Sequence, residues 1–554
     1  MDNIKIAKMI LKNYVDIFVD DSLKSDLAVL FTLFEKRFVL FCGNRYSKVS
    51  ICVLDEMNFD YPHIMYDEIY IEMGYGLPEG SYRAVCLYEQ NSVIASIQTY
   101  EEKIADAIER LISLMTLTPL EVEHEFQKEF MFYWDSVTSN KKIELYIGRV
   151  ESFTKLKVYQ KNDQICCVAP SVLFNDSSKE NEKWEKKENC VAYYIPIIDC
   201  RGILPPNQGH HWGIEEIQNI IFGKRISHIS RDTFLKIKKE RVDVQEIDLV
   251  FEMNCNNIPV TFMIRINCND DESKTLYEKL MDSVVSIQEL NSKRNDYFEL
   301  NRKIGNECNV MDKNVLLIGA GSLGSYVANE LVKNGFNKIK VYDEDKLYKE
   351  NIMRWAYGGM FDGVKKVEIL KFFLERNHPE IRIEAIGKNI DEKDLLKEVL
   401  QTDLIIFTVG STDIQMKMNK VLKDNHCHAP VIFVWLEAGG LYSHILVVDY
   451  KKKGCFECLY TDETGSFINN KANQNTEEFL EQKVLRNGCG GTRAAYGTAV
   501  LLRTTAVLLE ILKQIYDDSI LDNTLVNISL NEVEYVKHTF VVKGCRCCGD
   551  RDFK

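Results

Sequence analysis

The stretch Val315-Leu-Leu-Ile318-Gly319-Ala-Gly321-Ser-Leu-Gly324 decides the fold of the C-terminal half of this 554-residue chain. Four consecutive apolar residues make a short buried strand, and three glycines then turn it into a helix that runs over Tyr326–Asn334. Glycine permits a tight turn and close backbone approach there, so phosphates can sit on the helix N-terminus. Asp343 ends the next apolar run, Lys338–Tyr342, 19 residues after Gly324, where an acid holds a ribose hydroxyl. A helical pattern over Val364–Asn377 and a strand over Asp403–Val409 continue the alternation. It predicts an α/β, doubly wound, Rossmann-like sheet over residues 296–554. On this loop alone NAD and ATP are both open, with NAD the commoner occupant.

Upstream the texture differs. Residues 1–150 read as a helix, a meander of strand-like runs (Arg37–Cys42, Lys48–Leu54, Ile69–Met73, Tyr82–Tyr88) and two long helical patterns, Tyr100–Leu117 and Pro119–Trp134. That order predicts an α+β domain. Residues 151–295 hold further strands, a polar loop (Asn175–Asn189) and a Pro-Pro turn, and read as a mixed spacer without chemistry of its own. His210 and His211 lack partner ligands nearby, and Cys166-Cys167 reads as strand core. A formal net charge of -14 argues against a nucleic-acid partner. The apolar run Gly497–Tyr516 carries Arg503, Glu510 and Lys513, so it reads as a core helix and not a membrane span. Seventeen scattered cysteines and an N-terminus without a signal-peptide pattern point to the reducing cytoplasm.

Beyond the glycine loop, Asp343-Glu-Asp345, Asn351-Ile-Met-Arg354, Gly363-Val-Lys-Lys366 and Ser411-Thr-Asp413 follow in order. This set resembles the ThiF/MoeB and ubiquitin-activating superfamily. The resemblance implies ATP on Gly319, Gly321, Gly324, Asp343 and Asn351. It further implies Arg354 and Lys366 neutralising the phosphates, and Mg²⁺ at Asp413, while a carboxylate attacks the α-phosphate. Trp355 and Lys417 stand where that superfamily usually has glutamine and arginine. It also implies a homodimer and a protein substrate with a free C-terminus.

Cysteine enters in two roles. Cys455-Phe-Glu-Cys458 and Cys545-Arg-Cys547-Cys548 suit a structural Zn²⁺ site. Spacing favours Cys545 with Cys548, and Cys547 remains the alternative. Cys489, in Asn487-Gly-Cys489-Gly-Gly-Thr-Arg493, precedes the helix Ala495–Leu512, as the thioester cysteine of activating enzymes does. Residues 1–150 in turn resemble bacterial relatives of ubiquitin-conjugating enzymes. The likeness rests on Tyr61-Pro-His-Ile64 and Gly80-Ser-Tyr-Arg-Ala-Val-Cys86-Leu-Tyr. Cys86 would then accept an acyl group from Cys489 and offer it to a lysine. That family's His-Pro-Asn tripeptide is absent close before Cys86. The whole order resembles the activating–conjugating fusion ligases of CBASS anti-phage operons. Such a ligase takes the C-terminus of a cGAS-like nucleotidyltransferase as its substrate, and a sibling system uses a ubiquitin-like protein. A sulfur-carrier adenylyltransferase would use the same C-terminal half, and an NAD-dependent oxidoreductase or a non-catalytic ATP-binding scaffold are more distant alternatives.

Overall fold

The computed structural model describes residues 3–549 apart from 23–24, 43–48, 55–60, 72–75, 89–96, 139–141, 173–183, 207–210, 256, 269–273, 283–284, 306–309, 379, 475–483, 487–491, 518, 520–521, 530 and 538. The chain forms two compact units, Met1–Pro170 with Trp184–Arg294, and Asn295–Lys554 with Ser171–Lys183.

The first unit begins with the helix Asn3–Leu11 and a six-stranded antiparallel sheet. Spatial order in that sheet is Ile17–Val19, Ala28–Leu33, Lys36–Phe41, Ser50–Leu54, Gly80–Val85, Ile64–Ile71. The hairpin joining Ala28–Leu33 to Lys36–Phe41 is tight because Phe34 and Glu35 both take left-handed backbone angles, φ 47° and 64°, matching the right-handed twist of the paired strands. Alternate residues Val29, Phe31 and Leu33 face Ile104, Ile108 and Leu111 of the helix Tyr100–Met115. That helix starts on a capping box, Thr99 with Glu102, which satisfies two otherwise orphaned N–H groups. The helices Pro119–Lys128 and Phe130–Val137 follow. Phe130 and Trp134 of the latter are buried with Trp212 and Phe262 in a second core.

That second core lies under an eight-stranded mixed sheet. Thr154–Lys161 pairs with both Cys190–Pro196 and Gln164–Val168, so the sheet closes on itself and leaves few free edges. Cys166 and Cys167 are buried in its wall. Arg265, on Ile258–Asn267, meets buried Asp248 through two bonds of 2.7 and 2.9 Å.

The second unit has a sheet of eight strands. Five are parallel, in the order Arg382–Ile386, Lys338–Tyr342, Asn314–Ile318, Leu404–Phe407, Val431–Leu436. Three antiparallel strands, Ser443–Val448, Thr524–Ile528 and Val533–Lys537, extend it. The central runs Val315–Ile318 and Leu404–Phe407 are buried throughout, as a parallel strand covered on both faces requires. The crossover helix begins at Ser322, four residues before the sequence-based start, so Gly321 is its N-cap. The apolar run near the C-terminus forms the helix Thr498–Tyr516, whose Leu501, Leu508 and Ile511 sit in the main core. Among the described residues no helix is long and apolar enough to cross a membrane.

Candidate active site

The strand Asn314–Ile318 delivers the chain to Gly319 at φ 103°, a left-handed angle that glycine adopts without strain. A Cβ on Gly324 would lie 2.1 Å from the Gly319 carbonyl oxygen, so the helix can leave this close only as glycine. Gly321 faces open space and lines the cleft that follows. The loop is held from both sides. Asp343 accepts hydrogen bonds from the N–H groups of Ala320 (2.6 Å) and Asp345 (2.8 Å). Burial pushes its carboxyl above the usual range, against the pull of those bonds. The indole of buried Trp355 donates to the Ala320 carbonyl at 2.9 Å, and Thr408 donates to that of Gly319 at 2.8 Å.

A cleft of about 810 Å³ opens beside this loop. Asn351, Arg354 and Lys366 all line it, although they come from different local structures. Asn351 and Arg354 sit on the short turn Lys349–Arg354, and Lys366 is the first residue of the helix Lys366–Asn377. Lys366 is buried and pairs with Asp345 at 2.7 Å. Arg354 lies over the Tyr496 ring, 5.2 Å from its centroid. A smaller cavity of about 240 Å³, lined by Gly319, Asp343 and Ile414, adjoins the other side of the loop. Asp413 occupies the first turn of the helix Thr412–Asp424, exposed to solvent. Ser411 caps that helix, and Ser411 and Thr412, not Asp413, are cleft-lining. Lys417 is also exposed and pairs with Glu392 at 2.9 Å.

Sequence reading missed the far wall. Buried Gln415 gives its N–H to the Val409 carbonyl at 2.6 Å, while its Oε1 and the indole N–H of Trp435 have no partner among the described residues. An orphaned acceptor and an orphaned donor on one cleft wall are groups that a bound ligand can satisfy. Below them His444, fully buried, lies 2.7 Å from Glu437 and 2.8 Å from Asn527. Glu437 lines the cleft and accepts the Gln474 N–H at 2.7 Å. The available signal was two ionisable residues flanking an Ala-Gly-Gly turn inside an otherwise apolar hairpin.

Four of the predicted metal ligands converge. The sulfur atoms of Cys455, Cys458, Cys545 and Cys548 all lie within 4.8 Å of one another. Cys455 is 3.8 Å from Cys545, and Cys458 is 3.3 Å from Cys548. Tetrahedral zinc with bonds of about 2.3 Å sets its sulfurs about 3.8 Å apart, so this donor set fits Zn²⁺. Cys547 instead accepts a hydrogen bond from Asn419 at 3.3 Å.

Cys86 follows the strand Gly80–Val85 in the first unit, with its side chain exposed. Cys489 and His210 lie outside the described residues. His211 is exposed and lies 3.2 Å from buried Glu289.

Residues 306–547 match the ThiF family. An uncharacterized protein, y4qC, of Sinorhizobium fredii is 24% identical over 183 residues, covering 31% of this chain and 31% of its own. Ubiquitin-like modifier-activating enzyme 5 of Caenorhabditis briggsae is 26% identical over 165 residues, covering 27% of this chain and 37% of its own. The chain thus spans about a third of the length of the curated relatives it matches. Among solved structures, E. coli MccB is 19% identical with a TM-score of 0.35, over 44% of this chain and 67% of that one. From residue 306 to residue 547, this chain is thus similar to the ThiF family.

Proposed function

We propose that the chain is an ATP-dependent adenylating enzyme of the ubiquitin-activating type, working on the C-terminal carboxylate of a protein or peptide. The observation that carries this reading is the single cleft on which Gly321, Asn351, Arg354 and Lys366 converge. A carboxylate attacking an α-phosphate builds negative charge on the phosphate oxygens and releases pyrophosphate. Lys366 and Arg354 are the cations available to stabilise that charge. Mg²⁺, for which Asp413 is the candidate ligand, would supply further charge neutralisation when bound. The likeness to a ubiquitin-like modifier-activating enzyme points the same way.

The reading extends to both candidate nucleophiles. Cys489, in the same unit as the glycine loop, takes the acyl group from the adenylate as a thioester. Cys86, ending a strand of an antiparallel sheet with helices after it, receives the acyl group and passes it to a lysine. Residues 1–150 then act as a conjugating domain, 151–295 as the connector and 296–554 as the activating domain, in a cytoplasmic homodimer. The resemblance to CBASS fusion ligases makes a cGAS-like nucleotidyltransferase or a ubiquitin-like protein the acylated partner. The test is pyrophosphate exchange into ATP with each candidate tail, followed by trapping of reductant-sensitive adducts. Cys489→Ala should exchange yet form no thioester, and Cys86→Ala should charge Cys489 without conjugating. Tight NADH binding with no exchange would sink the proposal.

A further inference from the structure

Cys86 has a neighbour that its sequence motif does not reveal. Strand pairing runs Val85 against Ile64, which sets Cys86 opposite His63, and the Cys86 N–H donates to the His63 carbonyl at 2.7 Å. The other polar atoms of His63 are engaged as well. Its N–H donates to the Tyr133 hydroxyl at 3.0 Å, Nε2 lies 3.1 Å from a Glu125 oxygen, and Nδ1 lies 3.1 Å from a Glu129 oxygen. His63 also holds φ at 65°, a left-handed angle that a side-chain-bearing residue keeps only where its surroundings over-determine it. A ring with a carboxylate at each nitrogen is held as a cation. Hydrogen bonding to Glu129 is the main cause, burial opposes it, and Glu125 adds to it. Among the described residues, two further groups meet this clamp. Lys128 pairs with the second oxygen of Glu125 at 2.5 Å, and the Tyr133 hydroxyl lies 3.4 Å from Glu129. Two residues past Cys86, the Tyr88 ring lies under Arg110 at 5.0 Å, and Arg110 bonds to Asp106 at 3.0 Å.

We propose that His63 is the positioning residue for Cys86: it anchors the main chain beneath the thiol and holds an imidazolium at the facing strand position, so that Cys86 reacts as a thiolate near neutral pH. The inference rests on the reading of Cys86 as the acyl carrier. A nearby cation stabilises a thiolate, and the carboxylates keep that cation charged, the part a third group plays in nucleophile–base pairs. In the transfer, the Cys86 sulfur forms a bond to the acyl carbon as the Cys489 sulfur–carbon bond breaks. The departing Cys489 sulfur keeps the electron pair, and the proton that Cys86 gave up to solvent is balanced by one it takes.

The test reads Cys86 directly in the full chain, with iodoacetamide as probe and peptide mass spectrometry to follow labelling from about pH 5.5 to about pH 9.5. Asparagine tolerates the left-handed backbone, so His63→Asn removes the ring with the least disturbance of the turn. The pH of half-maximal labelling should rise by about one unit in His63→Asn, and labelling near pH 7 should fall on the order of fivefold to tenfold. Glu129→Gln keeps the ring and should shift the profile in the same direction by less. An unchanged profile in both variants, or a shift to lower pH in either, overturns the proposal. If His63→Asn lowers the melting temperature of the first unit, the Glu129→Gln profile decides. A Cys86→Ala chain that still conjugates would overturn the acyl-carrier reading itself and leave the labelling result standing, so the two failures are separable.

Discussion

The cleft of the second unit and the Cys86 end of the first are assembled in opposite ways. Most of the cleft's charged and glycine residues lie between Gly319 and Lys366, on consecutive pieces of one βαβ arrangement. Short-range geometry nearly suffices to bring them together. Around Cys86, the contributing residues come from positions 63, 86, 125, 129 and 133, on a turn, a strand end and two later helices. They meet only because the whole sheet and helix layer has formed. A site of the first kind survives small errors in distant packing, whereas a site of the second kind should be sensitive to them.

The largest expected effect breaks the second unit outright. If the four converging cysteines hold zinc, the ion contributes folding energy directly, about 10–16 kcal/mol in small zinc peptides. Cys458→Ser should therefore lose the metal by elemental analysis and unfold Asn295–Lys554 while the first unit keeps its hydrogen-exchange protection. Equal melting temperatures for metal-free and native preparations would show that these thiols are ordinary core. Next in size is the chemistry. Lys366→Ala should lower pyrophosphate exchange by roughly 10²–10³-fold, the usual loss on removing one preorganised charge-stabilising group. Leaving Asp345 unpaired at an exposed position should cost little stability. Exchange within a few-fold of the native rate would mean that Lys366 is a structural ion-pair partner. A middling effect is expected for Trp355→Phe, which keeps the buried ring but removes the N–H bonded to the Ala320 carbonyl. Loss of one such bond costs about 0.5–1.5 kcal/mol. It should weaken ATP binding by calorimetry more than it lowers the melting temperature.

What the sequence made legible follows the same division. The glycine turn, the strand Lys338–Tyr342 and the helix ending at Asn377 were readable because each is a local pattern with the right period. The four cysteines were readable because two Cys-x-x-Cys knuckles are a local signal, although the choice between Cys547 and Cys548 needed the structure. Trp355, a departure from the superfamily's usual glutamine, turns out to brace the glycine loop from a buried position. Nothing local marked Gln415 or Trp435, whose helix and strand positions fit an ordinary core, and Glu437 and His444 were marked only by flanking the Ala-Gly-Gly turn of an otherwise apolar hairpin. The role of the middle region was equally illegible. Closure of its sheet depends on pairing Thr154–Lys161 with Gln164–Val168 and Cys190–Pro196 at once, and packing Phe130 and Trp134 against it joins residues far apart in sequence.

The smallest effect separates the two units by the sign of their response to pH. In the first, the carboxylates of Glu129 and Glu125 raise His63 above its ordinary 6.5. A raised group contributes stability that is fully present below pH 6.5 and is lost as pH climbs through the folded-state value. Glu125 acts oppositely. Burial pushes it up, but Lys128 and His63 pull it below 4.5 overall, so its contribution is present above pH 4.5 and fades as pH falls. The clamp beside Cys86 is therefore at its strongest between about pH 4.5 and 6.5. In the second unit, burial and then Lys333 lower His378 below 6.5. Its contribution is present above pH 6.5 and is lost on acidification, because the unfolded chain takes up the proton first. Raising the pH from about 6 to about 8 should then loosen the peptides around His63 and Cys86 while those around His378 tighten. Either change is worth on the order of a few degrees in melting temperature. Hydrogen exchange corrected for its intrinsic pH dependence reads the two regions in one experiment, with His63→Asn flattening the first trend and His378→Gln the second. Parallel trends in both regions would mean that these histidines do not set the difference. The clamp would then owe its hold on Cys86 to packing and not to charge.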